Sequence, residues 1–291
     1  MKKLSMKIRT FSLLCVFSIY PMISWGQSWK LSKTMTATLD KGIFTLKTTK
    51  ESEAMPDFAN ESKIPWRFDR AKIISINIEE GIVTIGERCF LNCRSITSIT
   101  LPNSLTSIND AAFANCSSLT SICIPNSVTT IGVGAFIHCN SLASITLPNS
   151  LKSINDAAFA DCISLTSICI PNSVIEIKEA AFAGCKNITS ITIPKSVTTI
   201  EGRAFSLGAI NIKILGTFQG KPVVNTTCDT GNANSKLKDI YVFWETPLSI
   251  SSWAFDCLFS EYKNYLHVPS GTEELYKVDK EWRVFNIVAN E

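Results

Sequence analysis

The chain has 291 residues, 45% hydrophobic and 18% charged, which excludes a disordered polyelectrolyte and leaves room for one large domain or two ordinary ones. Its formal charge of +3 is carried at the N-terminus: Lys2, Lys3, Lys7 and Arg9 precede any acid, and without the first 26 residues 24 basic groups face 25 acidic ones. A near-neutral remainder gives no electrostatic reason to expect nucleic acid or an anionic membrane as partner.

Residues 1–26 read as a secretory signal peptide. Basic residues come first, then the apolar stretch FSLLCVFSIY, then Pro21 and the small residues Ser24 and Gly26. Pro21 interrupts the apolar run and makes it short for a membrane span. Cys15 follows Leu13 and Leu14 rather than small residues, which argues against lipidation there. Cleavage after Gly26 leaves Gln27 first, and no later segment is apolar enough to be transmembrane. The mature protein is therefore expected to be exported.

Residues 27–72 are read as an N-terminal cap. WKLSKTMTATLDKGIFTL (29–46) has the alternation of a β-hairpin turning at Asp40–Gly42, and Trp66 and Phe68 are expected to cover the first rung of the repetitive stretch that begins at residue 73.

Residues 73–215 carry an internal repeat. Phe90, Phe113, Phe136, Phe159, Phe182 and Phe205 are spaced 23 residues apart, and Cys93, Cys116, Cys139, Cys162 and Cys185 follow the first five by three. Ile96, Leu119, Leu142, Leu165 and Ile188 keep step, as do Ile99, Ile122, Ile145, Ile168 and Ile191, and the prolines from Pro102 to Pro194. A second register lies over the first: residues 101–146 and 147–192 agree at 32 of 46 positions, the mark of a duplicated two-unit block. In TSICIP, Ile122 and Ile124 point one way while Ser121 and Cys123 point the other. Pro125 ends the strand, Val128 and Ile131 begin a second apolar pair, and a turn or short helix leads to the Ala-Phe pair. One such unit cannot bury its own apolar face, but stacked units can. The expected fold is a mainly β, right-handed solenoid of 23-residue rungs with parallel strands about 4.8 Å apart.

Residues 216–291 are read as a degenerate repeat followed by an aromatic C-terminal cap built on Trp253, Phe255, Tyr276, Trp282 and Phe285. The repeat phrase is lost over 206–240, so the rung count there stays open.

The phrase LTSIxIPxSVTxIxxxAFxxC resembles the BspA-type leucine-rich repeat family of exported bacterial proteins. AMPDF (54–58), IPW (64–66) and IISINIEEGIVTIG (73–86) are similar to its usual opening, and LHVPSGTEELY (266–276) and EWRVFNIV (281–288) to its usual ending. The resemblance implies a non-enzymatic recognition protein, with adhesion to host extracellular or cell-surface proteins as the specific expectation.

The residues themselves offer little chemistry. The five periodic cysteines are read as small buried side chains, because stacked Cβ atoms near 5 Å exceed the roughly 3.8 Å of a disulfide. Cys89 fills the slot of Ala112, Ala135 and Ala158, so it is also read as core. Cys228 and Cys257 form the one pair considered for a disulfide. His138 and His267 lie in different modules, which leaves no metal-ligand cluster. His138 replaces Asn, Gly or Asp of sibling repeats, so a Ser-His-Asp triad is unsupported, and no phosphate or dinucleotide loop is present. Asp110 and Asp156 are matched copies in exposed turns without a pocket, not a hydrolytic pair. No cofactor or catalytic residue is expected.

What remains is the outward strand face. Ser98, Ser121, Ser144, Ser167 and Ser190 form one column, and Thr100, Cys123, Thr146, Cys169 and Thr192 a second. Only nine residues between 96 and 200 are charged. This long, hydroxyl-rich face is the candidate protein-binding surface. The protein is expected to be secreted or displayed at the cell surface, with the periplasm and a structural envelope role without host ligand as the alternative.

Overall fold

The computed structural model describes residues 26–188, 190–194, 196–206, 211–214, 239–242, 265–279, 283 and 286–289; the side chains of 190, 211–214 and 239–242 are outside that description. Residues 1–25 therefore lie outside it, as do Trp253, Phe255, Trp282, Phe285, Cys228 and Cys257.

The 23-residue period becomes two rows of short parallel strands, a solenoid of stacked rungs. The first row contains Ser75–Ile78, Ser98–Thr100, Ser121–Cys123 and Ser144–Thr146. Ser75 pairs with Ser98 and Asn77 with Thr100, while Ser144 pairs with Ser121 and Thr146 with Cys123. A single parallel bridge joins Cys169 to Thr192. The row then continues through Ser190–Ile193, Asn211–Ile214, Asp239–Val242, Tyr265–Val268 and Asn286–Ala289, all parallel and in register. The second row runs through Glu53–Ala54, Ile82–Ile85, Ser107–Ile108 and Thr130–Ile131. It resumes through Ser153–Ile154, Glu176–Ile177 and Thr199–Ile200. In the five rungs from Ser98 to Ser190 the strands are short because Pro102, Pro125, Pro148, Pro171 or Pro194 follows the first and a turn follows the second.

At the N-terminal end, Gln27–Lys30 lies antiparallel to Met35–Asp40, which forms a hairpin with Ile43–Thr48. Lys41 (φ +48°) and Gly42 (φ +85°) make the two-residue turn, the left-handed type whose twist suits paired strands. Ile43–Thr48 then pairs in parallel with Ser75–Ile78, so the hairpin extends the first row.

The third side of each rung is the Ala-Phe corner, and it is a run of turns rather than a helix. The amide N–H of Phe113 donates to the carbonyl of Ala135 at 2.9 Å, that of Phe136 to Ala158 at 2.9 Å and that of Phe159 to Ala181 at 2.9 Å. Two left-handed residues bracket each corner. Arg88, Ala111, Gly134, Ala157, Ala180 and Arg203 form one such column, and Asn92, Asn115, His138, Asp161 and Gly184 the other. Asn, Asp, His and Gly adopt positive φ most readily, which accounts for the second column but not for the alanines and arginines of the first.

Inside, the six phenylalanines stack. Successive ring centroids from Phe90 to Phe205 lie 5.4–5.6 Å apart with interplanar angles of 4–16°. Trp66 continues the stack, 5.8 Å from Phe90, and its indole N–H donates to the carbonyl of Cys89 at 2.9 Å. Phe44 meets Phe90 edge-on at 5.1 Å. Phe68 corrects the sequence reading: it is 81% exposed and covers no rung. Successive tight turns, in which Arg67 N–H donates to Ile64 and Asp69 N–H to Trp66, send Trp66 inward and Phe68 out. There the Arg67 guanidinium lies 4.2 Å from the Phe68 ring. Near the C-terminus the short helix Glu273–Val278 buries Tyr276, and that burial pushes its phenol well above the usual range.

Candidate functional site: the outward face of the first strand row

Alternation along each first-row strand separates an inner from an outer set. Ile122, Ile145, Ile168 and Ile191 are buried, and Ile99 is half-buried. Ser98, Thr100, Ser121, Cys123, Ser144, Thr146, Ser167, Cys169 and Thr192 are all exposed. Ser190 stands in its strand in register with Asn211, but its side chain is outside the described set. The pairing brings Ser121 beside Ser144, Cys123 beside Thr146 and Cys169 beside Thr192.

Hydrogen bonding distinguishes this face from its flank. Thr97 Oγ1 donates to the Ile74 carbonyl at 3.2 Å and Thr120 Oγ1 to the Thr97 carbonyl at 3.5 Å, which ties each rung to the one before. Thr106 and Thr129 do the same along the second row, at 2.9 and 3.3 Å. Among the described residues, the hydroxyls of Ser98, Thr100, Ser121, Ser144, Thr146, Ser167 and Thr192 form no such tie. They stand free, each able to donate and accept.

Sequence reasoning stopped the two columns at Ser190 and Thr192, but the strand row continues in register beyond them. Lys213, Tyr241, His267 and Val288 continue the Thr192 column, and Asn211, Asp239, Tyr265 and Asn286 continue the Ser190 column. His267 and Tyr265 are half-buried between the buried Leu266 and Val268. The signal was the alternation in NIKI, DIYV and YLHV, hidden because the proline and phenylalanine landmarks are missing there.

The remaining candidates have structural work. Cys116 Sγ donates to the Phe90 carbonyl at 3.4 Å, Cys139 to Phe113 at 3.3 Å, Cys162 to Phe136 at 3.3 Å and Cys185 to Phe159 at 3.1 Å. Burial pushes the Cys93, Cys139 and Cys185 thiols up to about 12, and those of Cys89, Cys116 and Cys162 well above the usual range, so none is a nucleophile at neutral pH. Asp110 accepts the N–H of Val133 at 2.7 Å and Asp156 that of Glu179 at 3.1 Å, so both occupy themselves with the next rung's backbone. The Asn103 and Ser104 N–H groups bind Glu80 and hold its carboxyl below the usual range. His138 Nδ1 lies 3.3 Å from the Asp161 carboxylate on the exposed turn column. Among the described residues no group of three or more His, Cys, Asp or Glu gathers as metal ligands, and no helix is long and apolar enough to cross a membrane.

Comparison with known proteins points the same way. No curated protein matches the chain. The family profile of the BspA-type leucine-rich repeat region, in six copies, matches residues 66–166, 106–221 and 152–274. The chain belongs to the BspA-type leucine-rich repeat family. It is also similar in fold to a leucine-rich repeat protein from Bacteroides ovatus, at 22% identity and a TM-score of 0.52, over 82% of this chain and 70% of that one. The leucine-rich repeat protein of T. pallidum is 22% identical over 66% of this chain and 84% of its own, with a TM-score of 0.44. A leucine-rich cell surface protein from Faecalibacterium prausnitzii is 19% identical over 91% and 95%, with a TM-score of 0.31. BspA-type leucine-rich repeat proteins are typically non-enzymatic and bind proteins.

Proposed function

We propose that this BspA-type protein is an exported recognition module that binds a host extracellular or cell-surface protein through the outward face of its first strand row. The observation that carries the reading is the set of exposed hydroxyls on adjacent rungs that, among the described residues, no internal hydrogen bond uses. A rigid, repeated array of donors and acceptors about 4.8 Å apart suits an extended protein segment better than a small molecule. Membership of a protein-binding family and the signal-like sequence of residues 1–26 support it.

The test has two parts. Protease digestion on intact cells, with a periplasmic marker as control, should degrade the protein while the marker survives; protection until the outer membrane is opened would favour an envelope role. Binding to an immobilised extracellular-matrix extract should be saturable and should be lost when Ser144→Arg and Thr146→Arg place charge in mid-face. Unchanged binding by that variant would move the site off this face.

A further inference from the structure

Cys123 and Cys169 hold one repeat position, in rungs separated by a single intervening rung. Both thiols are free and exposed. The corresponding position is Thr100, Thr146 and Thr192 in the other rungs. Two strand spacings, about 10 Å, separate the two cysteines, well beyond the roughly 4.4–6.8 Å that a disulfide spans between Cα atoms. They cannot bridge each other.

Their placement is symmetric about the strand Ser144–Thr146. A two-fold axis along that strand, relating two copies face to face, sets Cys123 of each copy opposite Cys169 of the other, at both places at once. A disulfide across such an interface needs the sheets closer than the roughly 10 Å of ordinary face-to-face packing. Only small outward side chains allow that approach, so it is confined to the middle rungs, where Ser121, Ser144, Thr146 and Ser167 are all small. None is charged, so like meets like without repulsion. The 46-residue duplication explains why both rungs carry cysteine at the same repeat position.

We propose that the outward face of the first row pairs with a second copy of this chain and that oxidation locks the pair through two reciprocal Cys123–Cys169 disulfides. For each bond, two thiols lose two protons and two electrons. A small-molecule disulfide such as glutathione disulfide accepts them and leaves as two thiols, so two equivalents close the dimer. The oxidised dimer buries the mid-face hydroxyls, so ligand binding through that face belongs to the reduced protein.

The test uses the mature protein treated with glutathione disulfide, followed by non-reducing electrophoresis and peptide mass mapping. The expected product is a covalent dimer containing the cross-linked peptide pair of Cys123 and Cys169. Threonine is native at this position in sibling rungs, so Cys123→Thr and Cys169→Thr should fold, which their melting curves check. Each variant alone should stay uncross-linked, because every bond needs one residue of each kind. Mixed together, the two variants should form a heterodimer with one bond. Absence of a dimer in the wild type, cross-links only between like residues, or dimerisation of either variant through its remaining face thiol overturns the proposal. The double threonine variant keeps binding to the extracellular-matrix extract if the face is a ligand site, so the two readings fail separately.

Discussion

Phe136→Ala tests the core argument most directly. Phe136 is fully buried and stacks on Phe113 at 5.4 Å and on Phe159 at 5.6 Å. Removing the ring loses its transfer free energy and two aromatic contacts, and opens a cavity in mid-stack. The walls cannot readily collapse, because the Phe136 N–H is tied to Ala158 and its carbonyl accepts Cys162 Sγ. The expected cost is about 3–5 kcal/mol, which at this size lowers the melting temperature by roughly 6–20 °C. Phe205→Ala, at the far end of the described stack, should cost less, since one stacked neighbour, Phe182, is seen there. The assay is thermal and urea unfolding followed by circular dichroism. An unchanged midpoint for Phe136→Ala would show that the stacked rings do not hold the rungs together.

Three further outcomes are expected. Ala157→Gly should stabilise the protein by about 0.5–1 kcal/mol, because Ala157 sits at φ +50° where a Cβ is strained and Gly134 holds the equivalent place; a lower melting temperature would refute it. Maleimide labelling of the native protein, mapped by mass spectrometry, should modify Cys123 and Cys169 and reach Cys116, Cys139, Cys162 and Cys185 only after unfolding; rapid native labelling of the inner column would place those thiols wrongly. The third outcome concerns pH. The folded Cys139 thiol titrates at about 12, above its unfolded value of 9.0, so its stabilising effect is whole below pH 9 and is lost as pH rises towards 12. The stability difference between wild type and Cys139→Ala should therefore shrink above pH 9, by up to about 1.4 kcal/mol per pH unit; a constant difference to pH 11 would show that the thiol is not buried.

The parts of the fold legible in the sequence are those the period constrains. Phenylalanine and isoleucine recur because each ring or branched chain lies on its own copy, and no other spacing stacks them. The two outward columns were readable for the same reason. Position 68 was not, since Phe68 precedes the periodic region and only local turn geometry decides its direction. Ala111, Ala157 and Ala180 conceal their left-handed backbone, because alanine carries no signature of positive φ. The neighbouring column does carry one: Asn92, Asn115, His138, Asp161 and Gly184 form a set that shares little except tolerance of that conformation. Beyond Ser206 the strands persist without the phrase, so the continuation of the strand row through positions 213, 241 and 267 was visible only as register.

Cysteine shows how position, rather than residue type, sets chemistry in this fold. On the inner side of the corner, a thiol replaces a small apolar group and adds one weak bond to a carbonyl of the preceding rung. On the outer side of the strand, the same side chain has no partner and meets solvent. The hydroxyl residues divide the same way: Thr120 is consumed by the ladder, and Ser121, its neighbour, is not. Rungs held by backbone ladders, corner amides and stacked rings leave the hydroxyls of Ser98, Thr100, Ser121, Ser144, Thr146, Ser167 and Thr192 without a structural duty among the described residues. That spare capacity, repeated on successive rungs at one spacing, is what a repeat protein can turn to recognition.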